Sequence, residues 1–332
     1  MSLKIDVRIA QDISIKRIGE LSNLAEKSGF ECIWFAETSH DPFLPVAIAG
    51  EHTDNIMVGT SIALAFPRSP MSLAYTAWDL QRLLDGRFIL GLGTQVKGHI
   101  ERRFGIKWES PVEKLREVIE ALRAIWKCWQ NNERLNFRGK YFTINLMTPF
   151  FDPGPIPNPD IPIHIAGVNI SMCRLAGEIC DGFHIHPLHS IDYIKNIVIP
   201  GIEKGARKVG RKKRDVELFA SVFIATGDTE KDIEKEKEDL RQQIAFYSST
   251  RTYKKVLELH GWGEVVDRLH KKSLKGDWKG MAREITDEML ETFVVTGGTD
   301  EIISELKRRY SGIVDRVAVY RSFEGELLLK SM

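Results

Sequence analysis

Glu37 and His40 stand three residues apart at the close of the apolar run Cys32-Ile33-Trp34-Phe35-Ala36. A carboxylate near an imidazole suits general acid/base work, because the imidazole titrates near neutral pH and the carboxylate can orient it or raise its pKa. His184 and His186 are spaced by two, which on a strand puts both on one face, either as packing residues or as groups lining a site. Gly93, Thr94 and Gln95 close another apolar run, and Ala166, Gly167, Val168 and Asn169 close a further one. In the last, the glycine lets backbone come close and Asn169 can cap a following helix, whose first N–H groups can hold a phosphate. An ordinary strand-to-helix turn accounts for the same four residues.

Other chemistries lack their parts. His184-x-His186 has no third and fourth ligand at metal spacing, so no metal residues are assigned. There is no G-x-S-x-G, and Gly91-Leu92-Gly93-Thr94-Gln95 is an incomplete dinucleotide fingerprint. Cys32, Cys128, Cys173 and Cys180 form no C-x-x-C pair and lie beside no convincing histidine, which fits a reducing, cytoplasmic setting.

The elements that must position these residues follow from hydrophobic patterning. Lys4–Ile9, Cys32–Glu37, Ile56–Ala65, Arg87–Thr94, Ile161–Gly167, Asp181–Leu188, Val216–Ala225 and Asp315–Tyr320 read as eight strands. Most are apolar on successive residues, as strands covered on both faces are, and amphipathic helical patterns separate them. Eight alternating units predict an α/β fold, a (β/α)8 TIM barrel forming a single domain over 1–332, with its active site at the carboxyl ends of the strands. Two intervals, Asn131–Asp160 and Asp228–Thr292, are too long for simple connections and read as insertions after strands 4 and 7. The second is a candidate lid or subunit contact, although its charged run around Lys231–Leu240 reads first as a solvated helix face.

Forty-seven basic and 46 acidic side chains in 332 residues give a net charge of +1, which favours neither nucleic acid nor an anionic membrane. Charged residues interrupt every apolar run before the roughly 20 residues a membrane helix needs. A soluble protein acting on a small molecule is expected.

Several runs resemble the luciferase-like monooxygenase superfamily: Val58-Gly59-Thr60-Ser61-Ile62, Pro67-Arg68-Ser69-Pro70, Asp79 to Leu83, and Asp85-Gly86-Arg87-Phe88-Ile89-Leu90-Gly91-Leu92-Gly93. Similarity continues through Arg103-Phe104-Gly105, Pro111–Trp129 and Ile163–Phe183, and is greatest to its coenzyme F420-dependent oxidoreductases, methylene-tetrahydromethanopterin reductase among them. The resemblance implies a barrel holding the tricyclic ring of F420, or alternatively FMN, in its mouth. Ser61 and Ile62 would form a bulge with a non-proline cis peptide against the ring, and Ala166, Gly167, Val168 and Asn169 a phosphate turn. Gly93, Thr94 and Gln95 would complete the coenzyme contacts, with Gln95 and His186 also candidates for substrate. Glu37 and His40 would manage the proton of a hydride transfer. An FMN-dependent monooxygenase and a non-catalytic flavin-binding protein are the alternatives. Relatives pair as homodimers, which would place Tyr75 and Trp78 of an unusually aromatic helix near a subunit contact. Two departures matter: Thr38 replaces the histidine that light-emitting enzymes carry after the strand-2 glutamate, and Thr94-Gln95-Val96 lacks the glutamate of the sugar-phosphate dehydrogenases.

Overall fold

The computed structural model describes residues 2–10 and 13–324. Eight strands form the barrel: β1 (Lys4–Arg8), β2 (Cys32–Phe35), β3 (Met57–Thr60), β4 (Phe88–Gly93), β5 (Ile163–Gly167), β6 (Gly182–Ile185), β7 (Glu217–Gly227) and β8 (Arg316–Val319). All neighbouring pairs are parallel, and the sheet closes where β6 pairs β7 (Gly182 with Glu217) and β8 pairs β1 (Arg316 with Lys4). This is the expected (β/α)8 barrel, and each of the eight predicted strands is present.

The continuous apolar patterning has a direct cause. Outward residues such as Val7, Ile33, Phe35, Val58 and Leu90 pack under the helices, while Trp34, Ile89, Phe219 and Ala318 fill the interior. Glycines make room for the interior rings. A Cβ on Gly59 would lie 2.5 Å from the Trp34 ring, and one on Gly182 would lie 2.4 Å from His164. Deep in the barrel, Asp6 accepts from Trp34 Nε1 at 2.8 Å and from Arg316 at 3.0 Å, and Arg316 also reaches Glu217 at 3.1 Å. Burial pushes Asp6 up to about 6 despite the Arg316 charge and the Trp34 hydrogen bond.

The third predicted strand is interrupted. After β3 the peptide bond between Ser61 and Ile62 is cis, and pairing with β4 resumes at Ala63–Leu64. The bulge therefore lies where the resemblance located it.

The first insertion enters after the helix Pro111–Asn131 rather than directly after β4. Its short hairpin, Phe137–Arg138 with Thr143–Ile144, is held by Glu117, which accepts from the backbone of Lys140, Tyr141 and Phe142. The chain then runs along the helix Pro70–Leu83, where Tyr75, Trp78 and Gln81 donate to the carbonyls of Phe151, Gly154 and Asn158. Trp78 is thereby buried against Trp129 within its own chain, while Tyr75 stays half-exposed.

The second insertion is helical, over Glu230–Ser248, Lys254–Glu258, Gly263–Leu274, Trp278–Ala282 and Asp287–Phe293. It ends in a strand absent from the sequence reading, Val294–Gly298, which pairs with the upper half of β7, Phe223 to Gly227. The charged helix Glu230–Ser248 opens on a Thr229/Asp232 capping box and is largely exposed along its first half, as its composition predicted. Among the described residues no helix is long and apolar enough to cross a membrane.

Candidate active site

The carboxyl ends of the strands gather two unlike sets of groups. On the side of β2 to β5 the construction is mostly backbone. Ser61 N donates to Phe35 O at 2.7 Å, and Glu37 N donates to Ile62 O at 3.0 Å, so strand 2 grips both residues of the bulge. The Glu37 carboxylate accepts from Leu64 N at 2.7 Å and from Arg68 at 2.6 Å, and Arg68 also pairs with Asp41 at 2.6 Å. Glu37 is thus drawn into a clamp on the strand beyond the bulge. His40 stands on the exposed turn that follows, lining a cavity of about 370 Å³ with Ala10, Ile13, Ser14 and Leu44.

Gly93 faces the bulge, since a Cβ there would lie 2.4 Å from Ile62 Cδ1. Gln95 has φ +59°, a left-handed conformation uncommon for residues other than glycine, and its side-chain oxygen accepts from Val96 N at 3.0 Å. Thr94 donates to the Gln95 carbonyl. At the end of β5, Asn169 caps the helix Ile170–Ile179 by accepting from Met172 N at 3.0 Å, as its position predicted. The preceding Val168 carbonyl is held by the Tyr193 hydroxyl.

A polar chain runs upward through the interior to this side. Ser61 Oγ lies 3.0 Å from His184 Nδ1, His184 Nε2 lies 3.1 Å from His164 Nδ1, and His164 Nε2 lies 3.9 Å from Glu217. Burial is the largest cause holding His184 well below its ordinary value and His164 down to about 4, so both rings are neutral. At 3.9 Å the Glu217 carboxylate is beyond hydrogen-bond reach of His164, so the direction of the Ser61–His184–His164 bonds follows the ring tautomers. His184 therefore has both nitrogens engaged within the barrel. His164, which the sequence reading passed over inside an apolar strand, is the link.

The side of β6, β7, β8 and β1 is built from rings. His186 Nδ1 accepts from Leu188 N at 3.1 Å, which leaves Nε2–H to donate to the Tyr253 hydroxyl at 3.0 Å. Burial holds His186 down to about 3. The Tyr247 and Tyr320 hydroxyls lie 2.7 Å apart, and Phe223 packs edge-on to Tyr320. Tyr247 and Tyr253 come from the second insertion, so its helices dock on the mouth through two tyrosines. Arg8, at the end of β1, lies 4.5 Å over the Tyr320 ring. None of Arg8, Ser221, Tyr247, Tyr253 and Tyr320 was singled out from sequence. For Arg8 and Tyr320 the signal was available, since the strand-end rule applied to strands 2 to 6 holds equally for strands 1 and 8, whereas Ser221 lies within β7.

A closed parallel barrel with its polar groups gathered at the carboxyl ends defines an enzyme scaffold, and the chain matches the luciferase-like monooxygenase family over residues 2–316, so it belongs to that family. It is 43% identical over 315 residues to an uncharacterised protein of Mycobacterium tuberculosis, covering 95% of this chain and 92% of the relative. It is 29% identical over 313 residues to 5,10-methylenetetrahydromethanopterin reductase of Archaeoglobus fulgidus, covering 92% and 89%. The structure of the coenzyme F420-dependent tetrahydromethanopterin reductase of Methanopyrus kandleri superposes with a TM-score of 0.81 at 22% identity, covering 99% and 97% of the two chains. Relatives and neighbours in this family are reductases and monooxygenases, and the chain is an enzyme of the same oxidoreductase class.

Proposed function

We propose that this protein transfers a hydride between coenzyme F420 and a small organic substrate at the barrel mouth. The observation that carries the reading is the juxtaposition, at one end of one barrel, of the half-exposed Ile62 side chain against Gly93 and the capped start of the helix Ile170–Ile179. The residues fit a planar, phosphate-bearing coenzyme. Ile62 and side-chain-free Gly93 offer an apolar platform, and the first N–H groups of the helix favour an anion. Ser61, Ile62, Gly93, Thr94 and Gln95 would lie along the ring, with Ala166, Gly167, Val168 and Asn169 at the phosphate. The name carried by a second Mycobacterium tuberculosis relative, putative coenzyme F420-dependent oxidoreductase, 27% identical over 305 residues, supports F420 as the coenzyme.

When bound, F420 supplies hydride chemistry at its C5 position. The chain's own contributions are positional and protonic. Glu37, engaged by Arg68 and the Leu64 amide, fixes the strand around the bulge and so the distance between ring and substrate. His40 gives or takes the proton at the substrate heteroatom, according to the direction of transfer. Tyr247 and Tyr253 bring the second insertion down on the mouth and exclude water. The enzyme works as a cytoplasmic homodimer, in keeping with four free cysteines and with Phe150 and Phe151 standing exposed beside the helix Pro70–Leu83. The alternative is FMN with oxygenation on the same scaffold, in the direction of neighbours such as the long-chain alkane monooxygenase, TM-score 0.72.

His40→Asn should lower kcat by about 100-fold, the scale of a lost general acid/base, while the dissociation constant for coenzyme stays unchanged. Unaltered turnover in His40→Asn would remove the histidine from the mechanism.

A further inference from the structure

One guanidinium at the mouth has no part in the coenzyme platform or the proton path. Arg8 points inward from the end of β1 and is half-buried. Among the described residues no carboxylate pairs with it. Its one polar contact is Nη1 to Ser221 Oγ at 3.4 Å, and the Tyr320 ring lies beneath its Cζ. The other arginines nearby have counter-charges: Arg316 in Asp6 and Glu217, and Arg321 in Glu236 at 2.9 Å. Above Arg8 lies a cavity of about 300 Å³, lined also by Ser39, Tyr320, Arg321 and Ser322, with no aspartate or glutamate among the described residues of its lining.

A partly desolvated guanidinium without a counter-charge is costly, and a ring face offsets only part of that cost. The fork of N–H donors that Ser221 and Tyr320 leave unfilled matches a carboxylate or a phosphate, which accept two parallel hydrogen bonds. The neighbouring imidazole offers no competing charge, because burial, with Arg8 itself adding to the effect, keeps His186 neutral.

We propose that this cavity is an anion subsite in which Arg8 holds a carboxylate or phosphate group of the substrate. Calling the ligand a substrate rests on the hydride-transfer reading; the anion site itself does not. A volume of about 300 Å³ suits a small organic acid or monophosphate and excludes an extended polyanion.

The test is calorimetric titration of the full chain with pyruvate, succinate and inorganic phosphate, alone and with F420 saturating. Saturable binding of at least one probe is expected, weakened about tenfold or more by Arg8→Gln and less by Arg8→Lys, which keeps charge but loses the fork. Arg123→Gln, on a groove at the opposite end of the barrel, should leave binding as it is. Absence of binding for every probe overturns the proposal, as does equal affinity in Arg8→Gln. Competition between probe and F420 also overturns it, because the anion would then belong to the coenzyme. Anion binding by a chain that binds no deazaflavin supports the subsite and overturns the hydride reading alone. If Arg8→Gln fails to fold, Arg8→Lys and the wild-type titrations still decide.

Discussion

On the β2–β5 side of the mouth, contacts are made mostly by main chain, glycines and one clamped carboxylate, whereas on the β6–β8 and β1 side they are made by rings, hydroxyls and a guanidinium with which no described carboxylate pairs. The first side admits little change, because its spacing is set by backbone against backbone. The second is assembled from side chains on strands that the helical insertion presses together, and each can be altered without moving the barrel. This division fits the proposal of a coenzyme held by the first side and a substrate held by the second.

The comparison breaks most easily at Gly91. A methyl there would lie 1.9 Å from the Thr60 carbonyl, and neither strand can withdraw, so Gly91→Ala should cost about 3 kcal/mol in urea denaturation, at the top of the range for overpacking. Equal stability in Gly91→Ala and wild type would mean that this side is not rigid.

Acid should act next, and through the interior histidines. His164 and His189 are held down to about 4 and His186 to about 3, all mainly by burial, against an unfolded value near 6.5. The unfolded chain then binds more protons than the folded one across this window, so stability falls as pH drops from about 6.5 towards 4. Asp6, raised to about 6, acts in the opposite direction, but it is one carboxyl against three imidazoles. Thermal melts from pH 7 to 5 should show a falling midpoint; a flat profile would contradict neutral buried rings.

The smallest effect concerns the docking of the insertion. Tyr253→Phe removes the hydroxyl that accepts from His186 and should cost about 1 kcal/mol, with faster proteolytic cutting within residues 228–292 and unchanged coenzyme affinity. Cutting at the wild-type rate would show that the insertion docks without that bond.

How much of this was legible in the sequence follows from the same division. Strands buried on both faces leave continuous apolar runs, and Gly59, Gly91 and Gly93 mark where backbone or rings come close, so the barrel and the platform side could be read. The bulge at Ser61–Ile62 was legible only through resemblance, since nothing in its composition sets it apart from the strand around it. Arg8 and Tyr320 were within reach of the strand-end rule, whereas His164 sits within an apolar strand and carries no such mark. Which face of the helix Glu230–Ser248 docks is decided by Tyr247 meeting Tyr320, 73 residues away in sequence, and no local pattern encodes that. Val294–Gly298 escaped notice because it exists only as a partner for the part of β7 that rises above the barrel.

On the proposed reading, the backbone-built side holds a deazaflavin. Competitive fluorescence titration of the purified chain with F420 and FMN tests it most directly. Saturable F420 binding, tighter than FMN and lost when Gly93→Val fills the space against Ile62, is the result predicted. Preference for FMN, or F420 affinity indifferent to Gly93→Val in a folded protein, would contradict it.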